Sequence, residues 1–296
     1  MTIAVYLPLL LALPLACSAR WIAGRGAPGF AARGLTAVAV VAAASSTWSL
    51  VLLALTLLDD LPPLSALDNH PGLELPEPVP GPVALVAGLA LLTGGIRLLI
   101  GLRRRVGTHR RLRTAGLPHH GMVVADWSAP LAVAVPGRPG HHGHLLVTTG
   151  ILRVLDADER RVVFAHERAH LVHHHHRLVA AAAAAAVVNP LLIPVREAVT
   201  YLVERWADEE AAAAVGDRAL TGQAIARAAL AMVDSGPAAA LGINGGTAVH
   251  RVRALAQPVP APRRRLLLGP ALVGLGCLAT ISVATTEFVT LARAWT

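Results

Sequence analysis

Apolar residues run almost unbroken through four stretches of the chain: Thr2 to Ala19, Gly34 to Leu58, about Pro80 to Ile96, and Leu266 to Thr286. Each lacks charge over roughly the 17 to 25 helical residues that a bilayer core requires. A further run, Leu178 to Val195, contains seven consecutive alanines but is interrupted by Asn189-Pro190 and Pro194. That pattern predicts a buried or membrane-abutting helix of about three turns rather than a fifth crossing. Between the third and fourth spans the periodicity changes. Short extended pieces are expected around Val123 to Ala125, Leu131 to Val135 and Leu145 to Thr148, with a hairpin loop at Pro136 to Gly140. Asp156-Ala157-Asp158-Glu159 then reads as a capping box, so a helix is expected to start near Ala157 and run on through the histidines of FAHERAHLVHHHHR. A second helix is expected over REAVTYLVERWADEEAAAAVGD.

Charge orients these spans. Arg20, Arg25 and Arg33 follow the first, whereas Asp59, Asp60, Asp68, Glu74 and Glu77 follow the second. Arginines end the third span, from Arg97 through Arg103 to Arg105 and on to Arg113, and Arg263 to Arg265 precede the fourth. By the positive-inside rule the N-terminus is outside and the long segment between spans three and four is cytoplasmic. The alternative of a cleaved leader, suggested by Leu15-Ala16-Cys17, lacks a basic residue before the apolar stretch and would place the first arginines outside.

Composition agrees: 54% of the 296 residues are hydrophobic and only 15% charged, below the quarter usual in soluble domains. The net charge of +8 is accounted for by arginines at span ends, so no nucleic-acid partner is expected. Cys17 and Cys277 both lie in apolar runs, which leaves histidine as the soft metal ligand. The expected fold is a mainly α integral membrane protein with four transmembrane helices and a cytoplasmic α+β domain between spans three and four. Its parts are residues 1–101 (spans at about 2–19, 34–58 and 80–101, cytoplasmic loop 20–33, outer loop 59–79), the domain 102–265, and the last span with a short outer tail, 266–296.

His166 and His170 stand four apart on the first of the two helices, so both rings project from one face and can share a tetrahedral ion. Glu167 is placed to reach a water at that ion, and the order His166-Glu167-Arg168-Ala169-His170 is the H-E-x-x-H pattern of zinc metalloproteases. A third protein ligand leaves one position open for water, and Glu204 on the facing helix is the candidate. Asp208, one turn on, is placed to accept the other ring N–H of a ligating histidine. Of the remaining histidines, His173 and His174 return toward the ion and His175 and His176 point away, and all four are read as non-ligands. His119, His120, His141, His142 and His144 are read as surface loop residues.

FAHERAHLVHHHHR followed by NPLLIPVREAVTYLVERWADEEAA resembles the BlaR/MecR-type membrane zinc metallopeptidases, which pair an H-E-x-x-H helix with an Asn-Pro break and an E-x-x-x-D motif. The matching residues are His166, Glu167, His170, Asn189, Pro190, Glu204, Ala207 and Asp208. The resemblance implies a zincin-like domain, one zinc held by His166, His170 and Glu204, Glu167 as general base, and a protein substrate such as a cytoplasmic repressor or the chain itself. It does not extend to a β-lactam sensor. The HtpX and CAAX-protease group shares both motifs but usually places two spans between them, where this chain has the alanine-rich run, and it ranks second. A non-enzymatic membrane metal sensor built on the histidine run, and a protease inactive without a partner, stay open.

Overall fold

The computed structural model describes residues 3–56, 79–234 and 245–294. In chain order its helices and strands are α1 (Ala12–Arg25), α2 (Pro28–Leu55), α3 (Gly81–Arg113), β1 (Met122–Ala125), β2 (Ala132–Val135), β3 (His144–Thr148), α4 (Thr149–Val154), α5 (Ala157–Val172), α6 (His175–Val188), α7 (Ile193–Val215), α8 (Arg218–Asp234), α9 (Gly245–Leu255) and α10 (Leu268–Ala294). Short helical turns at Ile3–Val5 and Leu7–Leu10 precede α1. Four helical stretches are long and apolar enough to cross a membrane: Ile3–Arg25, Pro28–Leu55, Gly81–Arg113 and Arg264–Thr290. The chain is a mainly helical, multi-pass membrane protein with one small sheet.

Two boundaries differ from the hydropathy reading. The loop expected over residues 20–33 contracts to Gly26-Ala27, because α1 runs on to Arg25 and Pro28 opens α2 in a first-turn position where its missing N–H costs nothing. The third span does not stop near Ile96 but continues as one helix to Arg113. At 1.5 Å per residue it is about 50 Å long against a hydrocarbon core of about 30 Å, so its arginine-rich last turns stand beyond the apolar layer. The expected outer loop lies outside the described residues except at Val79.

The alanine-rich run does more than abut the bundle. α6 and α7 form a helical hairpin whose tip is Asn189-Pro190, and Ala182, Ala185, Ala186, Leu192, Val195, Ala198 and Val199 share one core with α1 and α2. Small side chains let the backbones approach closely, which is how helices associate where water supplies no driving force. Irregular backbone at such depth is tolerated only when its polar groups find partners inside the protein. Asn189 provides this: its side-chain amide donates to Ser46 Oγ at 3.0 Å, and its Oδ1 accepts from the Leu191 N–H at 3.1 Å. Ser46 lies about 18 Å along α2 from Gly34, the start of that apolar stretch.

The three strands form one sheet in the order β1-β3-β2, with β1 parallel and β2 antiparallel to β3. β3 is central and buried along its whole length, and β2 is an edge strand lying beside α5. His144, expected in a surface loop, is instead the first residue of β3 and is buried; the other four histidines of that group are exposed.

Candidate metal centre

The start of α5 is set by local chemistry. Asp156 Oδ1 accepts from the Asp158 and Glu159 amides at 3.0 and 2.9 Å, and Glu159 Oε2 accepts in return from the Asp156 amide at 3.0 Å. Glu159 is fully buried, and it also accepts from Gln223 (3.3 Å) and Arg227 (2.7 Å) on α8. The cap therefore fixes where α5 begins and how it docks.

Ten residues into this helix, His166 and His170 face α7. Their Nε2 atoms are 3.1 Å apart, and the Glu204 carboxylate oxygens lie 3.6 Å from His166 Nε2 and 3.7 Å from His170 Nε2. All three ligand atoms fall within 4.8 Å of one another. Tetrahedral zinc with bonds near 2.0–2.1 Å separates its ligand atoms by about 3.3 Å, so the donor set fits one such ion with small adjustment. Among the described residues this is the one group of three or more ligating side chains so placed.

Asp208, one turn beyond Glu204, sets its Oδ1 3.0 Å from His166 Nδ1, the ring nitrogen opposite the shared centre. The motif reading missed the residue that holds this carboxylate. Arg251 on α9 donates two hydrogen bonds to Asp208 (2.7 and 2.6 Å) and reaches Glu204 Oε2 at 3.1 Å, with only 4% of its surface exposed. Arg251 shares the buried face of α9 with Ala248 and Leu255, while Arg253 is exposed. An arginine inside an apolar stripe was the available signal.

These charges divide the protonation states. Burial opposes charge on His166, but the Asp208 and Glu204 carboxylates outweigh it and raise the imidazole to about 10. Burial lowers His170 to about 4. Burial also works against ionisation of Glu204, yet His166, His170 and Arg251 overcome it and hold the carboxyl well below its usual range. Asp208 is lowered in the same way, chiefly by Arg251 against the cost of burial.

Glu167 differs from both. Burial raises it to about 7, close to the value suited to taking and returning a proton at neutral pH. Its Oε2 accepts from the Ala134 amide of β2 at 2.7 Å, which ties the base to the edge strand. A cavity of about 610 Å3 opens here, bounded by Leu131 to Ala134, His166, Glu167, His170 and the apolar side chains of Ile151, Val163 and Met232.

The far end of α5 departs from the expected continuous helix. It stops at Val172, His174 adopts a left-handed conformation at φ 51°, and α6 begins at His175. The order of approach is thereby reversed. His175 turns back so that its Nδ1 is 3.0 Å from His170 Nδ1, whereas His173 lies against Trp206 and Glu210 and His174 is exposed. None of the four belongs to the group around Glu204.

Comparison with known proteins points the same way for part of the chain. The model of peptidase family M48 matches residues 103–201, which include both histidines and Glu167 but end before Glu204. A protease HtpX homolog from Thermodesulfovibrio yellowstonii is 40% identical over 96 residues, 32% of this chain and 30% of that protein. Homologs of the same name from Burkholderia thailandensis and Sulfurihydrogenibium sp. are 48% and 42% identical over 59 residues, 20% of each chain. The chain thus matches only about a fifth to a third of the length of these relatives. No solved structure matches. The similarity found is to HtpX-type proteases, the group ranked second from sequence, and not to the BlaR/MecR type. Between the two motifs, where the HtpX group usually has two spans, this chain has the α6–α7 hairpin, whose residues share a core with α1 and α2.

Proposed function

We propose that this chain is a membrane-embedded zinc metalloendopeptidase of the HtpX type, hydrolysing peptide bonds in extended protein segments. The observation that carries the proposal is the convergence of His166, His170 and Glu204, with the Glu167 carboxylate beside them and held to the edge strand. One zinc held by those three side chains would polarise the scissile carbonyl and acidify the attacking water. Glu167 takes the proton of that water and delivers it to the departing nitrogen, a transfer that its raised pKa suits. Asp208, clamped by Arg251, keeps the His166 ring turned toward the centre.

β2 has no strand partner on its outer edge among the described residues, which supports substrate binding by strand addition, in which an extended peptide pairs with backbone groups and places side chains in the apolar hollow. The arginine-rich flanks support a cytoplasmic location for this cleft and an external N-terminus. Cleavage of a repressor rested on the BlaR/MecR resemblance, and no feature of the cleft favours it. A pure metal sensor needs no carboxylate poised at Glu167, so hydrolysis is the better reading.

The test is Glu167→Gln in detergent-purified full-length protein. Cleavage of an unfolded protein substrate should fall about 10²- to 10⁴-fold, while elemental analysis still finds one zinc. Undiminished cleavage would remove Glu167 as the base. Zinc that survives Glu204→Ala but is lost with His173 to His176 would replace the peptidase by a histidine-run sensor.

A further inference from the structure

Neither the three-ligand group nor the hydrolytic step uses the histidine run, yet His175 is only 1% exposed and in contact with a candidate ligand. For His170 to offer Nε2 to a metal, that nitrogen must keep its lone pair, so the ring proton must sit on Nδ1. The group facing that Nδ1 is His175 Nδ1, at 3.0 Å. We propose that His175 is a positioning residue of the metal centre: its Nδ1 accepts the His170 Nδ1–H, fixing the tautomer and ring plane that present Nε2 to the ion. This inference rests on the metal-site reading above.

The contact is built by tertiary structure. In an uninterrupted helix a residue five beyond His170 would point about 140° away from it. The left-handed turn at His174, a conformation unfavourable for a residue with a side chain, brings His175 back. What holds the ring there is Trp206, whose indole lies 4.6 Å from it, centroid to centroid. Trp206 is itself confined by the start of α2: the Arg33 guanidinium sits 4.4 Å over its ring, and a Cβ at Gly29 would stand 2.8 Å from it. The two histidine ligands are thus supported differently. His166 leans on a carboxylate held by Arg251, and His170 leans on an imidazole held by the junction between the first two spans.

The experiment compares His175→Asn with His175→Gln in full-length protein, titrating zinc alone against a chromophoric chelator. Asparagine places its amide oxygen the same number of bonds from Cβ as Nδ1, whereas glutamine places it one bond further. His175→Asn should bind zinc within a few-fold of the parent, and His175→Gln about 10- to 100-fold more weakly. His175→Leu, which fills the space without an acceptor, should repeat the loss and serves if the glutamine variant does not fold. His174→Asn, at an exposed position, should leave affinity unchanged. Equal affinities for His175→Asn and His175→Gln, whether both strong or both weak, would overturn the proposal. A parent protein that binds no zinc, or binds it unchanged after Glu204→Ala, would instead overturn the metal-site reading.

Discussion

The two ends of α5 are organised on different principles, although one helix joins them and both bear on the same centre. At its beginning, Asp156 and Glu159 satisfy the free amides within four residues, and long-range contacts to Gln223 and Arg227 are added to a start already determined locally. At its end, four identical residues follow one another and nothing local says where the helix should stop. The break falls where Trp206, Gly29 and Arg33 leave room for His175 to fold back on His170. Local chemistry can therefore place a metal-binding helix, while the support of its second ligand comes from segments far away in the chain.

Trp206 is the residue on which the far end of α5 depends most. Trp206→Ala should cost about 3–5 kcal/mol, as truncation of buried aromatics generally does. If the far end depends on the bundle, hydrogen exchange should accelerate over residues 169 to 176 while amides near Asp156 keep their protection. Uniform acceleration along α5 would show that its two ends are held as one unit. Glu159→Ala is the reciprocal change and should be smaller, about 2 kcal/mol, since it removes charge-assisted hydrogen bonds whose partner Arg227 is half-exposed and can turn to water. It should loosen the first turns and α8, read by the same exchange experiment, and leave zinc affinity within a few-fold of the parent.

The same distinction explains what the sequence disclosed. The presence of four long apolar helices, the three strands, the capping box and the spacing of His166, Glu167 and His170 all follow from neighbours within a few residues, whereas the ends of the first and third spans run further than hydropathy placed them. Glu204 and Asp208 were reachable because they repeat one helical turn apart on a single face. Arg251 was legible only in part: Ala248 and Leu255 on its helix face mark it as inward-facing, but its partner Asp208 is 43 positions earlier. The hairpin was half legible: Asn189-Pro190 announced a break, but whether the alanines packed on the bundle or within it depended on Ser46, 143 residues earlier. Within the histidine run identical side chains carry no positional information, and straight-helix geometry selected His173 and His174 where the fold selects His175.

The smallest expected effect isolates the cost of the break itself. His174 is exposed and holds a left-handed conformation without ligating anything, so its side chain contributes little beyond strain. Glycine adopts that conformation freely but loses more entropy on folding, and the two effects offset in part. His174→Gly should raise stability by about 0.5 kcal/mol, seen as a slightly higher thermal midpoint of the detergent-solubilised protein, with zinc affinity unchanged. A variant that is instead destabilised would mean that the backbone prefers to continue α5 through His174. The contact between His175 and His170 would then be a minor arrangement, and the far end of the helix would obey the same local rules as its beginning.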